Sequence, residues 1–218
     1  MLSANHERIA AFYTGLMNEA RNRLEWVVYA LNGKTGMPRY VAEDFVYLQL
    51  RMLCEIVGLA CIVAHGDNPS TRSKRVLKRW SAADMLLELE KLTPDFYPQP
   101  HDQVRATHMV DGKSVGGFHF QKRAADYLTK FELIKLYGRC GDHLHRGSAK
   151  NILANRPYPP SARDELAKFA QKLANLLGIH RIQLLGGEAQ LICVMYPMDG
   201  DIMRNEVAVA FGYPIDDT

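Results

Sequence analysis

One stretch of twenty residues, FVYLQLRMLCEIVGLACIVA at positions 45–64, limits the folds open to this chain more than any other. Apolar residues occupy nearly all sides of a helix built from it, so that helix has no broad polar face to turn toward water. Such a helix is stable when other elements cover it on several sides. We therefore expect a central helix that begins after Pro38 and ends at Ala64, where Gly-Asp-Asn-Pro at 66–69 stops it.

Four further segments carry apolar residues every three or four positions, which is the repeat of an amphipathic helix. A cluster of prolines at 94–100 ends one of them. Glycines at 138 and 141 weaken another, so it is expected in one piece or two. Ser161, four residues ahead of Glu165, comes close to a helix-start signature for the last. The predicted helices cover residues 7–31, 71–92, 120–144 and 161–177.

Two regions show the two-residue alternation of β-strands. Residues 103–120 predict two short strands around the Asp111-Gly112 turn, the strongest short-range hairpin signal. The tail predicts strands in 181–185, 189–196 and 206–213. The predicted fold is therefore mainly α, a helical bundle over residues 1–178 with an inserted hairpin, followed by a small C-terminal antiparallel sheet over 179–218 (α+β).

Length and composition exclude several classes of protein. At 218 residues the chain can form one main domain, and a net charge of +3 does not by itself indicate nucleic-acid binding. Its longest continuous apolar run, residues 56–64, is shorter than the ~20 residues that span a bilayer, and the first ten residues lack a signal sequence. Four cysteines without metal-type spacing favour a reduced protein. We expect a cytoplasmic protein that has no membrane contact.

Known cofactor and metal motifs are absent from the sequence. We find no phosphate-binding glycine loop, no Gly-x-Ser-x-Gly elbow and no dinucleotide fingerprint. His101, His108 and His119 lie around the predicted hairpin, but their spacing matches no zinc pattern. We therefore expect no cofactor and no metal site.

The segment RCGDHLHRG, residues 139–147, concentrates proton-transfer and anion-binding groups where a helix meets glycine. A neutral imidazole accepts a proton near pH 7, and a guanidinium stabilises charge on a phosphoryl oxygen. This combination suits RNA cleavage in which histidine removes the 2′-hydroxyl proton. The other interpretation is a solvated helix end, where cations oppose the dipole and contribute about 0.3–1 kcal/mol. The candidate residues are Arg139, Asp142, His143, His145 and Arg146.

The spacing of Arg139 and His145, with five residues between them at the end of a late helix, resembles the motif of the HEPN family. Members of that family are helical bundles, and many are metal-independent ribonucleases. The resemblance covers roughly residues 7–177. It implies that Arg139 holds the phosphate and that His145 is the general acid or base, with His143 or Arg146 as an accessory. It also implies a homodimer whose two motifs meet, and a role in toxin–antitoxin or antiviral defence systems.

Arg51 and Glu55 interrupt the apolar run of the central helix one turn apart. Buried charges are costly unless they are paired, so one interpretation is a structural bridge between these two side chains. The HEPN family also takes active-site polar groups from its earlier helices. By that resemblance, Glu55 instead reaches Arg139.

A basic run, RSKRVLKR at 72–79, has five cations in eight residues and no acid. It predicts either a surface that binds a nucleic-acid backbone, with Trp80 available for stacking, or a solvated helix face. The candidate nucleic-acid-binding residues are Arg72, Lys74, Arg75, Lys78 and Arg79.

Together these features predict an endoribonuclease of HEPN type that acts on RNA as a homodimer, with an antitoxin or another protein as a further partner. The alternative is a non-catalytic HEPN-like interaction module. In that case the dimer surface and an exposed edge of the terminal sheet hold a protein partner.

Overall fold

A computed structural model describes residues 4–66, 81–110, 113–145, 161–184, 189–196 and 208–212. Within these ranges the protein is a mixed α+β fold. Four helices pack around α2, and the strands form an antiparallel sheet. The helices are α1 Ala4–Leu31, α2 Arg39–Ala64, α3 Ala82–Glu90, α4 Lys130–Leu144 and α5 Arg163–Leu177. The strands are β1 Gln99–Val110, β2 Lys113–Lys122, β3 Ile179–Gln183, β4 Gln190–Val194 and β5 Ala208–Gly212.

The expectation of a central helix is confirmed by α2. It packs against α1, α3, α4 and α5, and twelve of its 26 residues are buried. By length and composition α2 could also cross a membrane, the single helix in the described ranges of which this is true. Since 56% of its most apolar window is buried inside the protein, α2 here is a core helix.

Helix α4 begins later than the sequence predicted. Residues 120–122 belong to β2, where Phe120 pairs with Gln103, and the helix starts at Lys130. The start is set by a capping box, in which the Thr129 side chain accepts from the Glu132 N–H and the Glu132 carboxylate accepts from the Thr129 N–H. From there α4 is a single helix through both glycines to Leu144.

Two other helix starts also differ from expectation or lie outside the described residues. The N-cap of α5 is Ala162, without a side-chain cap. The predicted cap residue, Ser161, lies one position earlier, and its oxygen accepts from the Arg163 N–H at 3.4 Å. Its hydroxyl donates to Glu43 of α2 at 2.6 Å, because that carboxylate is nearly buried and requires a donor. Of the helix predicted at 71–92, the described portion is α3; its basic first half falls outside the described residues.

The strands form one sheet in the order β2-β1-β3-β4-β5, with all pairs antiparallel. Strands occur in both regions where the sequence predicted them, but the hairpin is not separate from the terminal strands. Gln99 and Pro100 at the start of β1 pair with Arg181 and His180 of β3, while residues from His101 onward pair with β2. The hairpin turn at 111–112 lies outside the described residues.

Two histidines make polar contacts that connect the helices with the sheet. Tyr13 of α1 donates to His180 Nε2 of β3 at 2.6 Å, and His180 Nδ1–H donates to the Leu177 carbonyl at 3.0 Å. His65, which follows α2, has ring nitrogens 2.8 Å from the Cys61 carbonyl oxygen and 3.0 Å from that of Gln183. Both rings are buried, so they fix the sheet against α1 and against the C-terminal end of α2.

His180 predicts an acid-sensitive fold. Complete burial lowers the pKa of His180 from 6.5 to about 4, so its stabilising effect is full above pH 6.5 and is lost as pH falls toward 4. Between pH 7 and 4.5 this group alone should reduce the free energy of unfolding by roughly 2 kcal/mol. Urea denaturation followed by circular dichroism measures the loss. In the control Tyr13→Phe/His180→Leu, which has no imidazole at that position, the loss should be smaller by that amount; an equal loss would contradict the assignment.

Candidate functional site

Four side chains on α2 form a polar stripe that faces α4. Asp44, Tyr47, Arg51 and Glu55 are spaced by three, four and four residues, which places them on one side of the helix. Each contacts a residue of α4: His143, Arg139 or Tyr137. The stripe has an outer section, at the N-terminal half of α2, and an inner section that lies a turn or two further along the helix.

Arg139 of α4 contacts the outer section of the stripe and lies between α2 and α5. Its Nη1 and Nη2 donate to the two carboxylate oxygens of Glu165 in a bidentate pair, and it also donates to the Tyr47 hydroxyl. Partial burial acts to lower the pKa of Arg139, but the hydrogen bonds with Tyr47 and Glu165 outweigh burial and the pKa is raised. Burial raises the pKa of Tyr47, so the phenol is neutral at pH 7. The guanidinium is therefore a permanent cation, and its side chain is 43% exposed.

His143 lies one turn after Arg139 and stacks on the same tyrosine. The rings of His143 and Tyr47 are 3.7 Å apart between centroids and tilted by only 20°. His143 Nε2 is 2.8 Å from the Asp44 carboxylate. A carboxylate only accepts, so Nε2 carries the proton, and in the neutral ring Nδ1 is left as an acceptor. Stacking and the hydrogen bond together hold the imidazole in one orientation and one tautomer.

The inner section of the stripe is a chain of polar contacts through Tyr137. Arg51 Nη2 donates to the Tyr137 hydroxyl at 3.1 Å, and that hydroxyl donates to Glu55 at 3.2 Å. Arg51 Nε lies 3.6 Å from Glu55, which confirms the predicted bridge, and the guanidinium carbon is 4.6 Å from the Tyr137 ring centroid. A Cβ at position 141 would lie 2.9 Å from Arg51 Nη1, so Gly141 leaves the space that this cation occupies.

Cys140 lies next to Arg139 on α4 but faces the core. The residue is fully buried and its thiol is free. Burial raises the pKa of Cys140 to about 12, an effect that the nearby Arg51 and Arg139 only partly oppose. The thiol is thus protonated at neutral pH and is not a nucleophile.

The structure places the other predicted residues separately. His145 is the C-cap of α4; its side chain is exposed and its N–H donates to the Gly141 carbonyl. Asp142 is also exposed. Arg139 is brought together with His143 through Tyr47, and among the described side chains no such shared residue joins Arg139 to His145. Arg146 and the basic run, Arg72, Lys74, Arg75, Lys78 and Arg79, lie outside the described residues.

Glu55 and Arg139 belong to different sections of the stripe. Glu55 contacts Arg51 and Tyr137, whereas Arg139 contacts Glu165 and Tyr47. In the described ranges, no group of three or more His, Cys, Asp or Glu side chains is placed to hold a metal ion.

Sequence analysis did not identify three members of this cluster: Asp44, Tyr47 and Glu165. The first two had a recognisable signal, because they continue the spacing of Arg51 and Glu55 toward the start of the same helix. Glu165 had none as a partner for Arg139, since 26 residues separate the two and only the packing of α5 brings them together.

The ion pair of Arg51 and Glu55 in the inner section should make a measurable contribution to the free energy of unfolding. Arg51→Met leaves the Glu55 carboxylate, 22% exposed, without its cation and should lower the free energy of unfolding by about 1–3 kcal/mol. Arg51→Met/Glu55→Leu should recover most of that loss, because neither charge is left alone. Urea denaturation measures both variants. As a matched control, Glu19→Gln in the more exposed pair with Arg23 should cost less than about 1 kcal/mol. A double variant as unstable as Arg51→Met would contradict the pairing.

Comparisons with protein-family models, with curated proteins and with solved structures found no match to this chain.

Proposed function

We propose that this protein is a metal-independent endoribonuclease of HEPN type, with its site at the C-terminal end of α4. The observation that carries the proposal is the convergence of Arg139, which is 43% exposed, and His143, which is 17% exposed, on the buried Tyr47. An anion-binding group and an oriented proton acceptor thus lie side by side. These are the two functions that cleavage of RNA at phosphorus requires.

Arg139 is suited to bind a phosphate in exchange for Glu165. The two side chains are 43% and 42% exposed, and ion pairs at such positions typically contribute only ~0–1 kcal/mol. A phosphodiester oxygen can accept the same paired N–H donors that Glu165 now accepts. Tyr47 lies beside the guanidinium and would help to hold it in place during that exchange.

Proton transfer is assigned to the two histidines. One imidazole accepts the proton of the ribose 2′-hydroxyl while the 2′-oxygen bonds to the adjacent phosphorus. The bond to the 5′-oxygen breaks, and a second imidazole in its protonated form gives a proton to that leaving oxygen. The products are a 2′,3′-cyclic phosphate and a 5′-hydroxyl. His143 is held by Asp44 with Nδ1 as its acceptor, while the HEPN resemblance assigns His145 to acid or base.

A homodimer would supply the site with a second set of these groups. His145 lies at the exposed end of α4, so a twofold partner with its own α4 end nearby would add an imidazole and a guanidinium. The HEPN resemblance supports this arrangement, and it also supports a role as a toxin or a phage-defence effector with an antitoxin as partner.

Cleavage of RNA by purified variants tests the proposal. In the presence of EDTA the parent protein should cut a labelled single-stranded RNA and leave a cyclic phosphate. His145→Ala should reduce the cleavage rate by about 10²–10⁴-fold with the fold intact, because a proton-transfer group is lost. His143→Ala and Arg139→Ala should also reduce the rate, whereas Arg139→Lys should recover little because lysine cannot form the bidentate contact.

Matched controls separate chemistry from general damage. His6→Ala on α1 and Lys135→Ala, one turn before Arg139 on α4, should cut RNA at the parent rate. All variants should show the parent's melting temperature within a few degrees. Undiminished cleavage by His145→Ala would reject its role, and undiminished cleavage by both His143→Ala and Arg139→Ala would reject the site.

A non-catalytic HEPN-like interaction module is the second candidate. It is favoured by one observation: Arg139 and His143 already have carboxylate partners, Glu165 and Asp44, as residues of a structural network do. On this assignment no RNA is cut in EDTA. Glu165→Ala then weakens a complex with a co-purifying protein, as measured by light scattering after gel filtration, and leaves the free protein folded.

A further inference from the structure

The hairpin of β1 and β2 is a two-stranded arm beyond its base. Gln99 and Pro100 pair with β3, but from His101 onward β1 pairs with β2, and β2 is an edge of the sheet. Val104, Met109 and Val115 on this arm are 43%, 70% and 46% exposed. A two-stranded ribbon buries little apolar surface and is at best marginally stable alone, so a ten-pair ribbon indicates a function outside the core.

The register of the arm determines which side chains share a face. Gln103 is paired with Phe120, Arg105 with Phe118 and Thr107 with Gly116, and paired residues lie on the same face of an antiparallel ribbon. This face, which we call the aromatic face, therefore carries two phenylalanines at alternate positions of one strand. A guanidinium and an amide lie opposite them. The other face carries Val104, Val115, His119 and Gln121. Met109 lies on the aromatic face, where the two phenylalanines are half-buried.

A recess of about 610 Å³ opens at the end of the aromatic face. It is lined by Arg105, Ala106, Thr107, Gly116, Gly117 and Phe118. A Cβ added at Gly116 would meet nothing within 4 Å, and Gly116 has no positive φ. Neither the fold nor the backbone therefore requires glycine at this position. Its effect is to place no side chain of its own in the recess that Phe118 and Arg105 also line.

The charge of the arm is complementary to a polyanion. Residues 101–122 carry Arg105, Lys113 and Lys122 against two acids, Asp102 and Asp111, and Asp102 is already paired with Arg123. By the register, Arg105 and Lys122 lie on the aromatic face, whereas Asp102 lies on the other face. Rings two residues apart on a strand are separated by about 6.6 Å, a spacing at which each ring can stack on a separate base of an extended strand. Aromatic rings on a cationic ribbon are the features by which proteins bind single-stranded nucleic acid.

We infer that the aromatic face of the β1–β2 arm binds single-stranded RNA, with bases on Phe118 and Phe120, and the backbone along Arg105 and the recess at Gly116. The inference extends the proposed function, since it names the element that holds the substrate outside the cleavage site. It depends on the arm's own residues and not on Arg139, His143 or His145. Binding and cleavage are therefore separable by experiment.

The test measures binding of a fluorescein-labelled oligouridine of about twelve nucleotides, a length within the range that such surfaces cover. The full chain carries His145→Ala so that little cleavage interferes while the phosphate-binding Arg139 is kept, and anisotropy is read in EDTA. Phe118→Ala/Phe120→Ala should raise Kd about tenfold or more, because two stacking surfaces are removed. Gly116→Val should also raise Kd, because the valine side chain fills the recess. Since valine is favourable in a strand, the change should not disrupt the arm itself.

A matched control removes side chains from the other face of the same arm. Val104→Ala/His119→Ala should leave Kd within about twofold of the parent, since single-stranded binding depends on the stacking face. An oligothymidine DNA of the same length and an RNA duplex should bind more weakly than the oligouridine. The inference is overturned if both aromatic-face variants bind like the parent, if the control loses binding equally, or if DNA or duplex binds better. It is also overturned if the variants change only the oligomeric state.

Failure of this inference and failure of the proposed function give different results. If the parent protein cuts RNA while arm variants bind it unchanged, the arm assignment alone is wrong. If the arm variants lose binding but the parent never cuts RNA, the arm assignment stands and the proposed ribonuclease activity is wrong.

Discussion

The burial of α2 is the constraint on which the rest of this structure depends. A 26-residue helix with apolar residues on nearly all sides is stable in water only when other elements cover it, and here four other helices do so. Its polar side chains are then forced against a neighbour. Asp44, Tyr47, Arg51 and Glu55 share one side, and α4 supplies partners for all four. The same packing that forms the core thus also brings the candidate site together.

The side chains along that stripe and their partners differ in exposure, and we assign them different roles on that basis. Arg51 and Glu55 are each 22% exposed and are joined through Tyr137, so separating them leaves a poorly solvated charge. Arg139 is about twice as exposed, at 43%, and ion pairs at such positions typically contribute only ~0–1 kcal/mol. The inner contacts therefore hold α4 in place against α2. In the outer section Tyr47 is buried and His143 is 17% exposed, so the exposed ion pair of Arg139 and Glu165 is the physical basis of the proposed activity.

Periodicity was sufficient to locate α1, α2, α5 and the strands of the tail, because each has a long or clean repeat. The start of α4 was misplaced, although Thr129 and Glu132 form a capping box that the sequence does contain. The pairing of β1 with β3 had no comparable signal, since two residues at 99–100 meet a strand about 80 positions later. Among the site residues, Arg139 and His143 were recognised by type, whereas the roles of Tyr47 and Glu165 depend on contacts between separate helices.

What the sequence determined by itself is the set of local structures: which segments are helices, which are strands, and which of them must be buried. These follow from repeats of three to four or of two residues, and from caps, all of which act over one or two turns. Tertiary structure alone decided that Arg139 binds Glu165 and Tyr47, that His143 stacks on Tyr47, and that the hairpin joins the terminal strands. Such contacts depend on how distant elements pack, and the spacing of side chains along one segment does not determine that packing.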